Sequence, residues 1–129
     1  MKNNVTLTIA SLLSILFGTF HLTDDIIRGW LSGTVTNLTA VPVCVIWLYG
    51  TLVLAGRRSG YVIMLLASLF SLVIPLLHMM GNGVMHGRVA NSSGAFFFIW
   101  TLIAVGVTAL FSAVLSVRGL WSLRRGQPR

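Results

Sequence analysis

The chain has 129 residues, 56% of them hydrophobic and 9% charged, with a mean hydropathy of +0.91. A water-soluble domain carries about 25% charged residues, so this composition excludes one and calls for a bilayer. The net charge of +7 would suit nucleic acid in a soluble protein, but here the basic residues flank apolar runs in short loops and tails, which is the pattern of membrane topology and leaves no nucleic-acid partner.

Four apolar runs follow one another at 5–27, 38–55, 61–80 and 95–117, each near the roughly 20 residues needed to cross hydrocarbon. They predict an all-α integral membrane protein, a four-helix up-down-up-down bundle forming a single domain over 1–129. The longest connection, Gly81 to Gly94, is too short to fold as a domain of its own.

The first run follows Lys2 as a signal peptide would, yet no small-x-small cleavage site succeeds it, and Phe20-His21-Leu22-Thr23-Asp24 is a poor cleavage region. It is therefore read as a helix of the protein. Along it Ser11, Ser14, Gly18, His21, Asp25 and Arg28 recur at steps of three and four, so one face is small and polar, the face a membrane helix turns toward protein. Gly29 and Gly33 punctuate the first connection. The second run holds Cys44, the single cysteine, which excludes an intrachain disulfide and any site with two thiolate ligands and reads as a packing residue.

Gly56 to Gly60, with the Arg57-Arg58 pair, makes the second connection. In the third run Ser68, Ser71, Pro75 and His78 share a stripe, and Pro75 frees the carbonyl of Ser71 from its usual helical partner. The fourth run adds Thr101, Thr108, Ser112 and Ser116. Ser14, Gly18, Ser68, Ser71, Pro75 and Thr108 are the expected helix-packing positions. Trp30, Tyr61 and Trp100 fit an aromatic belt; a quinone or lipid pocket built from Phe97, Trp100 and the histidines is the sharper alternative. Asn37-Leu-Thr and Asn91-Ser-Ser match a glycosylation acceptor, a three-residue pattern that arises by chance.

Lys2, Arg57, Arg58, Arg118, Arg124, Arg125 and Arg129 share one side of a four-span chain, against Arg28 and Arg88 on the other. The excess predicts both termini in the cytoplasm of a bacterial cell, with the protein in the plasma (inner) membrane. The stretch from Arg118 to Arg125, with Trp121, reads as an interfacial anchor facing anionic lipid.

This topology gathers every acid and histidine, His21, Asp24, Asp25, His78 and His86, at the outer, periplasmic ends of the runs. His21, Asp24, Asp25, Arg28 and His78 form a candidate polar cluster, with Asp24–Arg28 and His21–Asp25 as i, i+4 pairs. His21, Asp25, His78 and His86, with Asp24 as a further carboxylate, are candidate metal ligands: imidazole with carboxylate suits Zn or Cu, and Met79, Met80 and Met85 nearby favour soft Cu. Asp25 is placed to fix the tautomer of His21. A b-type haem between His21 and His78 is a variant, with Gly18 supplying room.

No nucleophile elbow or triad spacing supports hydrolysis by Ser32, Ser92 or Ser93, so catalytic residues are not assigned. A small transporter is a second alternative, although the chain shows no midplane ionisable residue, that depth being held by Ser14 and Gly18. The leading expectation is a structural or accessory membrane protein whose polar cluster ties helix ends together, with a metal- or haem-binding redox subunit as the alternative. A homo-oligomer or a larger membrane complex is the expected partner state.

Overall fold

The computed structural model describes residues 2–31, 35–80 and 87–126, without the side chains of 2, 3, 35, 36, 87 and 88. It is all helical: α1 (Lys2–Ile27), a 3-10 turn (Val35–Thr39), α2 (Ala40–Leu52), α3 (Arg58–Met80), the single turn α4 (Gly87–Ala90) and α5 (Ala95–Arg124). No strand occurs among the described residues. Three helices, α1, α3 and α5, are long and apolar enough to cross a membrane.

Residue contacts set the directions of these helices. Near one end Tyr61 of α3 donates to Asn4 Oδ1 of α1 at 2.6 Å and packs on Gly119 of α5 so closely that a Cβ there would collide with its ring. At the other end His21 of α1 meets His78 of α3 and Phe98 of α5. Thus α1 and α3 run parallel and α5 runs against both. The C-terminal part of α2 reaches the N-terminal half of α1 through Thr51 and Ser11, 2.7 Å apart, so consecutive long helices alternate in direction. α5 packs chiefly on α1 and α3, and α2 lies on the opposite side against α3 and α1.

The second run forms a shorter α-helix than its apolar length predicts. α2 has 13 residues, about 20 Å of rise, and begins two residues before Pro42, whose ring would clash with the carbonyl of Leu38 if the α-helix extended further back. The residues before it take the tighter 3-10 form, with a rise of about 2 Å each. The fourth run instead extends to Arg124 rather than stopping at Val117, because nothing before Gly126, at φ +60°, turns the chain. The predicted interfacial segment is therefore the last two turns of α5, where Arg125 lies 4.6 Å over the exposed Trp121 ring. In the predicted loop 81–94, α4 supplies one helical turn, and His86 lies outside the described residues.

Hydroxyl groups satisfy one another or the backbone inside the bundle. Trp47 Nε1 donates to Ser11 Oγ, which donates to Thr51 Oγ1, which in turn donates to the Trp47 carbonyl, at 2.8, 2.7 and 2.8 Å. Ser68 donates to Ser112 across α3 and α5 at 2.8 Å, while Ser14 and Thr108 bond back to Ala10 and Ala104 of their own helices. Ser71 is buried, Gly18 faces Val105, and Pro75 faces Gly106. Such closed hydroxyl pairs hold helices where lipid offers no alternative partner.

Candidate metal centre

The end of α1 is built to hold its side chains in place. Trp30 N–H donates to the Asp25 carbonyl at 2.9 Å and Gly29 N–H to the Ile26 carbonyl at 3.1 Å, with Gly29 at φ +72°. This pair of bonds around a left-handed glycine is a Schellman cap. Asp24 and Asp25 are adjacent on the last turn, so they point about 100° apart and do different things.

Asp24 turns to the rim, where Arg28 Nε donates to its Oδ2 at 2.7 Å. The same guanidinium donates to Ser92 Oγ at 2.7 Å and to the Gly94 carbonyl at 2.8 Å, and it sits 5.3 Å over the Phe98 ring. Arg28 thus clasps the end of α1 to the approach to α5.

Asp25 turns inward. Its Oδ2 lies 3.7 Å from His21 Nε2 and its Oδ1 lies 3.5 Å from His78 Nε2. The other ring nitrogens are already engaged. His78 Nδ1 is 2.9 Å from the Ile74 carbonyl, which can only accept, so Nδ1 carries the hydrogen. His21 Nδ1 is 3.2 Å from Thr101 Oγ1, and that hydroxyl donates to the Phe97 carbonyl at 2.9 Å, so it accepts from His21 Nδ1–H. As neutral rings with hydrogen on Nδ1, both imidazoles therefore present a bare Nε2 lone pair to a carboxylate that is itself an acceptor.

A cation seated between the three groups resolves this mismatch, and a proton on one of them resolves it in part. His21 Nε2 and Asp25 Oδ1 are buried without a hydrogen-bond partner, His21 is fully buried and Asp25 is 7% exposed. The separations of 3.5 and 3.7 Å exceed a good hydrogen bond. They approach the edge of a tetrahedron with metal–ligand bonds of 2.0–2.1 Å, which is about 3.4 Å. One ligand atom from each of His21, Asp25 and His78 falls within 4.8 Å of the others.

The metal set foreseen in the sequence thus converges in three of its four members, with His86 outside the described residues. Asp24 serves Arg28 instead. The haem variant fits poorly: the His21 and His78 rings are 5.0 Å apart and steeply inclined, and Phe98 packs on both at 4.9 and 5.3 Å, filling the space a macrocycle would need. The aromatic pocket is also placed differently. Phe97 and Trp100 pair with Phe20 and Phe17, and the rings on the histidines are Phe98, on both, and Trp30, on His78. Thr101 and Phe98 were not foreseen as site residues, although the hydroxyl stripe of the fourth run already contained Thr101.

A separate cavity of about 270 Å³ opens between α1, α2 and α3, lined by Gly18, Cys44, Trp47 and Ser71 among others. Compared with protein-family models, curated proteins and solved structures, the chain matches none.

Proposed function

We propose that this is a small multi-pass protein of the bacterial plasma membrane that binds one divalent first-row transition-metal ion at the outer end of its helices through His21, Asp25 and His78. The observation that carries the reading is that the Nε2 atoms of two imidazoles face one carboxylate, with His21 Nε2 and Asp25 Oδ1 buried and unpartnered. Two imidazoles and a carboxylate suit Zn, Fe(II) or Cu(II), and three protein ligands leave a coordination position open, as in metal sites that bind water or a substrate. Thr101 and Ile74, by accepting the Nδ1 hydrogens, are the outer partners that aim the rings.

The orientation rests on charge. Lys2, Arg57, Arg58, Arg118, Arg124 and Arg125 belong to the end away from the site, and by the positive-inside rule that end is the cytoplasmic one. α2, with its preceding 3-10 turn, makes the fourth crossing.

Protein purified in detergent is expected to bind close to one Zn per chain, read by elemental analysis and by competition with a chromogenic chelator, and His21→Ala should abolish it. Protein that stays metal-free, with stability unchanged on adding Zn, Cu or Fe, would overturn the proposal. A second reading, a purely structural clasp in an accessory subunit, draws on Arg28, whose bonds to Asp24, Ser92 and Gly94 join segments far apart in sequence. It accounts for the rim but leaves the inward-facing acceptors unexplained.

A further inference from the structure

The opposite end of the bundle carries a recess lined by basic side chains. Arg58 opens α3 and Arg124 closes α5, and together with Val62, Leu120 and Leu123 they line a cavity of about 320 Å³. Because α3 leaves this end and α5 arrives at it, Val62 and Leu120 each lie one turn, about 6 Å, deeper than the arginine on their own helix. The cavity therefore grades along the helix axis from two guanidiniums to apolar side chains.

Both acids of the chain, Asp24 and Asp25, are at the other end with Arg28 and the histidines. No Asp or Glu is available to neutralise Arg58 or Arg124, and Arg57, Arg118 and Arg125 add like charge nearby in sequence. Both guanidiniums are exposed, so an anion from outside the chain can reach them, and the gradient implies its shape: negative at headgroup depth, apolar below.

We propose that this cavity seats one anionic phospholipid, its phosphate between Arg58 and Arg124 and an acyl chain against Val62, Leu120 and Leu123. Guanidinium is suited to the task, since its planar fork meets two phosphate oxygens at once, and basic recesses between membrane helices on the cytoplasmic side are typical headgroup sites. The proposal rests on the membrane reading above and is independent of the metal.

The test uses the full chain in a neutral detergent, titrated with phosphatidylglycerol or phosphatidylcholine of the same acyl composition and read by native mass spectrometry. One phosphatidylglycerol per chain should bind in preference to phosphatidylcholine. Arg58→Gln and Arg124→Gln should each weaken it by roughly fivefold, the factor for one basic residue beside an anionic lipid surface. Arg125→Gln, which removes a guanidinium stacked on Trp121 outside the cavity, should change it by less than twofold. Equal binding of both lipids, or equal loss in all three variants, would overturn the seat in favour of diffuse attraction. Displacement of the lipid by millimolar inorganic phosphate would overturn it in favour of a free-anion site. Co-flotation with phosphatidylcholine vesicles reads membrane insertion separately, so failure of the seat and failure of the membrane reading are distinguishable.

Discussion

Thr101→Val is the substitution that separates a metal centre from a polar clasp, because it keeps the shape of the side chain and removes only the oxygen that accepts from His21. In the native arrangement His21 Nδ1 and Thr101 Oγ1 are 3.2 Å apart, and the hydroxyl hydrogen is engaged by the Phe97 carbonyl at 2.9 Å. Valine leaves Nδ1–H without an acceptor inside a site where His21 is fully buried. An unsatisfied buried donor costs about 1–3 kcal/mol. The imidazole escapes part of that cost by moving its hydrogen to Nε2, which can then approach Asp25 Oδ2, now 3.7 Å away. That tautomer cannot bind a metal through Nε2. Outer partners of this kind are worth about 10–100-fold in metal affinity, or roughly 1.4–2.7 kcal/mol. Zn affinity measured by chelator competition should therefore fall by that factor in Thr101→Val and recover in Thr101→Ser, while thermal unfolding of the metal-free protein shifts modestly. An affinity unchanged within twofold, beside a clear loss of stability, would refute the aiming role and leave Thr101 as packing alone.

Arg28→Ala removes one partner of an ion pair whose side chains are 8% and 13% exposed, and with it the bonds to Ser92 and Gly94. Breaking a buried pair costs about 3–5 kcal/mol, and the partial exposure of Asp24 puts the expected loss near the lower figure; a loss below about 1 kcal/mol in detergent unfolding would show that the clasp is idle. Acidification should release the ion, because imidazole and carboxylate ligands bind metal only when deprotonated; Zn occupancy that holds constant from neutral to strongly acidic pH would count against the His21, Asp25 and His78 ligand set.

What the sequence made legible was the charge arithmetic and the stripes. Steps of three and four placed His21 and Asp25 on one face of α1, and the same spacing put His78 on the small-residue face of α3, so their convergence follows from helical geometry once α1 and α3 are parallel. The role of Thr101 was hidden, since a hydroxyl in a membrane helix bonds its own backbone equally well, as Thr108 does. Phe98 was hidden among three consecutive phenylalanines, of which helical rotation turns only one inward; Phe96 and Phe97 remain exposed. The reach of Arg28 to Ser92 and Gly94 depends on the path of a connecting segment, which no periodicity encodes. The length of α2 is not legible from apolarity alone, because the steric reach of Pro42 limits how far back the α-helix extends.

The two ends of the molecule now read as complementary solutions to one constraint. In a chain with two acids and nine basic side chains, Arg28 is neutralised by Asp24 at the rim, where their bond is 2.7 Å. His21 and His78 are the imidazoles that face the two oxygens of Asp25, at 3.7 and 3.5 Å. With both Nδ1 hydrogens directed elsewhere, neither neutral imidazole offers Asp25 a donor, and burial makes an uncompensated carboxylate costly. A metal dication satisfies all three groups at once, where a single added proton can bridge Asp25 to only one imidazole and leaves the other Nε2 without a donor. The basic end differs in that its guanidiniums, Arg58 and Arg124, are exposed and have no acid of the chain beside them in sequence. On the two proposals made above, the buried Asp25 would be matched by a bound cation and the exposed pair Arg58 and Arg124 by a bound anion, both supplied from outside the chain.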